Sequence, residues 1–389
     1  MPEPYQLSRY EEAFAKALGM PYAYGFYKGR VALYAILRAL GVSPGDIVIF
    51  PGFTCIMVPN AALYLGARPV YVDIDPATYN MDPARLKDAL SSMSASEMKR
   101  VKAVVVQHTF GIPADMDAIA GLANDLGVLV VEDCAHSLGS KLGGRLTGTM
   151  GTASFFSSQW SKPYSTGLGG MAATADAALA QKLGALQGEF ARPGGLKDGL
   201  LGFQVRLHRR LFSARMYWTA VRALRMLSAA GLFIGSSSRD EYGEGRPAGY
   251  EKVMGEAQAQ AGLDALAGVR RDIAHRRKVS EFYTAELGKK GLKLGLPRGS
   301  DPVLLRYPVV VKDKDAALSE AKHRSAELGS WFETVLHPSR KDLGRAGYVP
   351  GSCPAGEEAA KKTVNLPTHP RVGQDDAKRS LSVAMKFMK

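Results

Sequence analysis

Three short stretches of this 389-residue chain carry residue types that could do chemistry. The first, SFFSSQWSKPYSTGLGGM (residues 154–171), sets one lysine, Lys162, among hydroxyls and glycines. A lysine in a partly buried pocket has its pKa lowered and becomes a usable amine for attack on a carbonyl. Hydroxyls such as Ser157, five residues before it, can bind a phosphate, and glycines let the chain turn tightly beside a ligand. A Gly-rich hairpin with a solvated lysine would leave the same trace. The second, VVEDCAHSLGS (130–140), ends an apolar run in Glu132 and Asp133. A carboxylate there can keep a bound pyridine nitrogen protonated, so that the ring accepts electrons. It can equally ligate a metal or cap a helix. The third, YKGRVALYAILRALG (27–41), puts Gly29 and Arg30 at the start of a strongly helical stretch. A helix N-terminus with a glycine and a basic side chain suits a phosphate; a plain N-terminal helix is the alternative.

Such residues need elements that bring them together. Apolar runs at Ile47 to Phe50, Pro69 to Ile74, Val101 to Gln107 and Val128 to Val131 alternate with helical signals at Arg30 to Leu40 and Asn60 to Leu65. Gly66 is expected as a helix C-cap. The alternation predicts a mostly parallel sheet covered on both faces. Ligands of such sheets sit at the carboxyl ends of the strands, which makes the polar residues just after the runs the first candidates. Further on, a helix is expected from Met254 to about Leu287. A strand at Leu304 to Val311 and helices at Ala316 to Leu328 and Gln374 to Phe387 suggest a smaller C-terminal α+β domain. The expected division is 1–189, 190–247 and 248–389.

The order of these motifs, with QHTFGIPADMDAIAGLANDLG before VVEDCAHSLGS and the C-terminal VNLPTHPRV, resembles the DegT/StrS-type sugar aminotransferases. These are fold type I enzymes dependent on pyridoxal 5'-phosphate (PLP). The resemblance implies an α/β chain with a mainly parallel seven-stranded sheet and a smaller C-terminal α+β domain. It implies that Lys162 carries the cofactor and that Asp133 partners its ring nitrogen. His136 matches the residue packed toward the phenolic oxygen. Ser157, Gly29 and Arg30 match the phosphate-binding set, and Thr54 and Cys55 fall where the family places residues over the ring. It implies further an amino donor, usually glutamate, a keto-sugar acceptor, commonly nucleotide-linked, and a homodimer. No metal is called for. A PLP-dependent sugar dehydratase is the first rival; its known version replaces the lysine with histidine. A non-catalytic PLP-binding or membrane-associated protein on the same fold is the second.

The chain departs from the family in places. Cys55 stands where an aromatic is frequent. In the stretch that usually reads Gly-Tyr-Asn-Tyr-Arg, Glu251 replaces the Asn that reaches the partner's phosphate, and Val253 replaces the Arg. Arg239, Arg246 and Lys252 are candidate substitutes. The usual Gly-Glu-Gly-Gly reads Gly167-Leu-Gly-Gly. Residues 190–247 are longer than the family has here. From Leu200 to Ile234 there is no acidic residue, and Arg206, Arg209, Arg210, Arg215, Arg222 and Arg225 interleave with Tyr217, Trp218 and aliphatics. This reads as an extra helical hairpin over the site or a dimer interface, or as a basic amphipathic element meeting anionic membrane through 200–234.

Composition bounds the rest. The chain is 46% hydrophobic and 22% charged, with a formal net charge of +13, an ordinary globular balance with a basic surface. It carries no zinc-finger spacing or RNA-binding aromatic run, so nucleic acid is not expected as a partner. Three cysteines, Cys55, Cys134 and Cys353, cannot all pair within one chain, and the apolar or motif contexts of Cys55 and Cys134 suit a reducing compartment. MPEPYQLSRYEEAF lacks a signal-peptide pattern, and a cytoplasmic protein is expected, with possible placement at the inner face of the membrane. Arg306 could clamp a donor carboxylate or a substrate phosphate. His337 and His369 read as loop packing and Cys353 as structural.

Overall fold

The apolar runs become strands because each can be buried on both faces. In the computed structural model, which describes residues 6–211, 219, 222, 226, 234–237, 241, 245–338 and 343–388, seven strands make the main sheet. They are β1 (Tyr22–Phe26), β2 (Ile47–Pro51), β3 (Arg68–Val72), β4 (Val101–Gln107), β5 (Leu129–Asp133), β6 (Ala153–Ser157) and β7 (Gly170–Thr174). Their order is β1-β7-β6-β5-β4-β2-β3. β1 and β7 pair antiparallel, as do β7 and β6; the other neighbours are parallel. The mainly parallel seven-stranded sheet is therefore as expected. β2, β6 and β7 are buried at every position.

Helices close both faces. α1 (Gln6–Leu18) lies against β1. On one face α2 (Gly29–Ala39) buries ten of its eleven residues, packing Val31, Leu33 and Ile36 into a cluster with Val48, Val105 and Val131. Each such side chain contributes roughly 1.5–3 kcal/mol relative to exposure. On the other face α4 (Pro83–Ser92) and α5 (Met116–Asn124) bury Leu86, Leu90, Met116 and Ile119 against Ile47, Val104 and Val130. The aspartates Asp82 and Asp115 cap α4 and α5 by accepting backbone N–H bonds. α3 (Met57–Leu63) starts and ends earlier than its periodicity suggests, and Gly66, at φ +76°, makes the turn that follows.

After α6 (Ala177–Glu189) and α7 (Gly195–Leu211), the 33-residue α8 (Glu256–Gly288) leads to the C-terminal layer. There β8 (Arg306–Val310) pairs antiparallel with β10 (Thr363–Pro367), covered by α9 (Lys314–His323) and α11 (Gln374–Met385). α9 is shorter than the expected Ala316 to Leu328. Asp313 caps it two residues early, and Ser325, at φ +51°, turns the chain out. Two small ladders join this layer to the first. Ser300–Asp301 pairs with Lys141–Leu142, and β9 (Leu336–His337) runs parallel to Thr54–Cys55. The second ladder carries the loop before β9 to the carboxyl edge of the main sheet. In α7, Leu196, Leu200, Phe203 and Leu207 are exposed, while Leu201 and Val205 are buried. Arg206 and Arg222 are exposed; the side chains of Arg209, Arg210, Arg215, Tyr217, Trp218, Arg225 and Arg239 lie outside the described residues.

Candidate active site

Asp133 closes β5, the middle strand, between Gln107 on β4 and Phe155 on β6. It is buried, and one carboxylate oxygen accepts the Ala135 N–H at 2.9 Å. Burial pushes its carboxyl up to about 6, against the opposing pull of that N–H and of Lys162. Lys162 sits in the loop between β6 and β7. The loop is pinned by Lys162 N–H to Gln159 O, at 3.0 Å, and by a 2.8 Å bond between the Ser158 and Thr166 hydroxyls. Lys162 is only 9% exposed. Burial holds its amine down at about 8; Cys55 and Asp133 raise it, and Arg306 and Arg30 lower it. Desolvation thus drives both groups toward their neutral forms. The two lie near enough at the mouth of the sheet to shift each other's pKa, and perturbed groups in such a place mark chemistry.

Beside them stands the start of α2. Its N-cap residue, Lys28, makes no side-chain cap, and the N–H groups of Gly29 and Arg30 have no acceptor among the described residues. A Cβ on Gly29 would meet the Ser157 Cβ at 2.8 Å, and one on Gly170 would meet the Gly29 Cα at 2.3 Å. Glycine at both positions lets the helix end press against β6 and β7, which puts Ser157 beside the unpaired amides.

An aromatic group faces the lysine from the C-terminal layer. The Lys162 Nζ lies 4.9 Å from the centre of the Trp331 ring, and the Arg306 guanidinium 4.6 Å from it. The His136 ring stacks on Trp331 at 5.5 Å and 27°. The His136 Nδ1 accepts the Phe110 N–H at 3.3 Å, which leaves the proton of the neutral ring on Nε2. Burial, then Lys162 and Arg306, holds this imidazole well below its ordinary pKa. The Arg306 Nε is buried with no hydrogen-bond partner among the described residues. Cys55 borders the site. Thr54 does not open to it: its hydroxyl donates to Gln107 Oε1 at 2.7 Å, fully buried.

The remaining candidates have structural surroundings. Glu251 accepts from the Tyr34 hydroxyl at 2.8 Å and from Arg38 at 3.3 Å, and pairs with Arg246. Lys252 lies over the Tyr27 ring. The His337 Nδ1 accepts the Glu333 N–H, with its pKa pushed by burial to about 4. His369 bonds Glu327 at 2.8 Å, and Cys353 is fully buried, packed on Gly52. His108, Glu132 and Cys134 lie within 4.8 Å of one another, a spacing a metal would accept. The carboxylate is already saturated: it accepts from the N–H groups of Gly148, Met150 and Gly151 and from His108 Nε2. The other His108 nitrogen accepts the Ala114 N–H. The cluster is a hydrogen-bonded pillar under Asp133.

Three residues escaped the sequence reading. Trp331 had no local signal. Gln107 orients Thr54 and bonds Phe53 O and the Thr109 hydroxyl. Arg276, on α8, donates to Pro163 O, Leu305 O and the Thr368 hydroxyl, which ties the lysine loop to β8 and to the end of β10. It is one of four arginines on this helix, with Arg270, Arg271 and Arg277, so nothing in the sequence set it apart.

The profile of the DegT/DnrJ/EryC1/StrS aminotransferase family matches residues 5–210 and 218–383. A GDP-perosamine synthase of Caulobacter vibrioides is 28% identical over 96% of this chain and 87% of its own length. A UDP-N-acetyl-3-dehydro-alpha-D-glucosamine 3-aminotransferase of Acidithiobacillus ferrooxidans is 29% identical over 97% and 87%. Among solved structures, DesV of S. venezuelae, in complex with a ketimine intermediate, superposes with a TM-score of 0.73 at 25% identity, covering 99% of this chain and 91% of that one. Matched by the family profile over nearly its whole length, this chain is a member of the DegT/DnrJ/EryC1/StrS aminotransferase family.

Proposed function

We propose that the chain binds PLP at Lys162 and Asp133 and moves an amino group from an amino acid, glutamate, to the keto group of a nucleotide-linked sugar. The observation that carries this reading is that Lys162 and Asp133 are both buried and near enough to shift each other's pKa, Asp133 at the carboxyl end of the central strand and Lys162 in the loop after its neighbour. The cofactor fits these residues. Two unpaired amides, a hydroxyl and a glycine-lined contact are available for a phosphate, and a buried carboxylate with one oxygen engaged is available for a ring N–H.

Bound here, PLP would supply an electron sink for the donor's Cα carbanion. The chain's residues do the rest. Asp133 would hold the ring nitrogen's proton. The Gly29 and Arg30 amides and the Ser157 hydroxyl would hold the phosphate, and His136, with its Nε2–H free to donate, would face the phenolic oxygen side. The Lys162 amine, neutral in part near pH 7, would take the proton from the donor Cα and deliver it to the cofactor carbon on the far side of the shared nitrogen. Arg306, whose Nε has no hydrogen-bond partner among the described residues, would receive the donor carboxylate. The amino acid leaves as a 2-oxo acid, and the keto-sugar leaves aminated. Incubation with glutamate and nucleotide-linked keto-sugars, followed for 2-oxoglutarate, tests the reading. Loss of sugar hydroxyl without amino transfer would assign the dehydratase reaction instead. We further place the chain in a homodimer, in the cytoplasm.

A second reading concerns α7. No helix among the described residues is long and apolar enough to cross a membrane. The solvent side of α7 nevertheless bears Leu200, Phe203 and Leu207, and 200–234 contains no acid. We assign this face to peripheral contact with anionic lipid. Sedimentation with anionic vesicles, with and without Phe203→Glu, tests it; no binding of the wild type removes it.

A further inference from the structure

Glu241 lies 3.0 Å from the Lys28 Nζ and 3.0 Å from the Arg30 guanidinium, with its side chain only 4% exposed. Its backbone is held too. The Asn60 amide donates to its carbonyl at 3.2 Å, and the Tyr64 hydroxyl donates to the same oxygen at 3.4 Å. Arg30 also donates to Ser236 O at 2.6 Å and to the Ser237 hydroxyl at 3.2 Å. Lys28 is the N-cap residue of α2, and Arg30 stands two residues later. One anchored carboxylate therefore sits on the two basic side chains that flank the free amides of the helix start.

A buried carboxylate persists only where pairing offsets its loss of hydration. Here the pairing is uneven. Lys28 faces Arg30 and Lys252 as well as Glu241, and burial with Arg30 holds its amine down at about 8 even beside the acid. Among the described residues, Lys28, Arg30 and Lys252 outnumber Glu241 at this corner, and the helix dipole adds to their positive charge. That excess suits an anion with more than one charge.

Resting on the function proposed above, we propose that Glu241 is the resident counter-charge of this phosphate cradle: it gathers Lys28 and Arg30 and opposes an arriving phosphate, so that it sets how tightly the cofactor is held. Glu241 is a positioning residue and takes no part in the reaction. No motif marks it, because it lies more than two hundred residues from the helix it serves.

The test is equilibrium binding to the apoprotein, followed by cofactor absorbance, with PLP and with pyridoxal, which lacks the phosphate. Glu241→Gln should tighten PLP roughly three- to tenfold, the scale of one unit charge several ångströms away in a moderately polar medium. It should leave pyridoxal unchanged. Lys28→Met should weaken PLP, and the double variant, with the charge balance restored, should return close to wild type. If Glu241→Gln does not fold, the double variant carries the test, because it removes a buried pair together instead of stranding one charge. Near wild-type affinity in that variant supports the proposal, and a loss beyond tenfold contradicts it. Weaker or unchanged PLP binding in Glu241→Gln, or an equal change for pyridoxal, overturns it. A chain that captures neither compound at Lys162 refutes the proposed function itself. A chain that captures both and ignores Glu241 refutes only this inference.

Discussion

The amine of Lys162 lies 4.9 Å from the centre of the Trp331 indole, which comes from the C-terminal layer and also has the guanidinium of Arg306 4.6 Å from its centre. The lysine is therefore shielded by one part of the chain and carried by another. Docking the C-terminal layer completes the site, through the short parallel ladder of Leu336–His337 with Thr54–Cys55.

Trp331→Ala should admit water to the amine. Burial is the largest cause of the depressed Lys162 pKa, near 8, so hydration should raise it. The rate at which apoprotein captures PLP depends on neutral amine, and its half-rise should move to higher pH by roughly half to one unit. An unmoved profile would mean that Trp331 does not shield the lysine.

Arg306→Met should move the same profile in the same direction, because the Arg306 charge lowers the Lys162 pKa. It should differ from Trp331→Ala in the steady state. Losing a charge-assisted carboxylate contact should raise the donor KM by roughly ten- to a hundredfold, with a smaller effect on the acceptor KM. A selective rise in acceptor KM would move Arg306 to the sugar side.

Asp133 carries a stability cost in the absence of cofactor. Its folded pKa, about 6, lies above the ordinary carboxylate value, so the folded state binds more protons than the unfolded one between those pH values. Its contribution to stability is therefore favourable at low pH and is lost as pH rises through about 6. Asp133→Asn should stabilise the apoprotein at pH 7.5 by about 1–3 kcal/mol and by little at pH 4. It should also cut amino transfer by about a hundredfold or more, since an amide cannot hold the ring nitrogen protonated. Chemical denaturation at the two pH values checks the first effect.

The sequence displayed the pieces that depend on local pattern. Lys162, Asp133 and Gly29 stand at the ends of apolar runs or helix starts, where chain order alone puts them at one edge of a parallel sheet. What it hid comes from distant chain. Trp331, Arg276 and Glu241 reach the site only through the fold of the second layer and of the segment after α7, and each is an ordinary residue in an ordinary context. Glu251 shows the opposite limit. Its charge suggested a lost phosphate contact, but only the structure shows that the carboxylate is taken up by Tyr34, Arg38 and Arg246. The Thr54 hydroxyl, placed over the ring by resemblance, is turned to Gln107 by the register of the short ladder.

Glu132→Gln should destabilise the chain by about 2–4 kcal/mol, because one amide oxygen cannot replace two buried carboxylate oxygens that accept from four donors. Zinc or a chelator should not shift the melting temperature of the wild type. A zinc-dependent rise would show that His108, Glu132 and Cys134 hold a metal.

The most direct measurement of the central claim is peptide mapping after borohydride reduction of the PLP-loaded protein. The pyridoxyl mass should appear on the peptide containing Lys162, and Lys162→Ala should lose both the label and amino transfer. Label on another lysine, such as Lys28 or Lys252, or a Lys162→Ala protein that still transfers amino groups, would contradict the account.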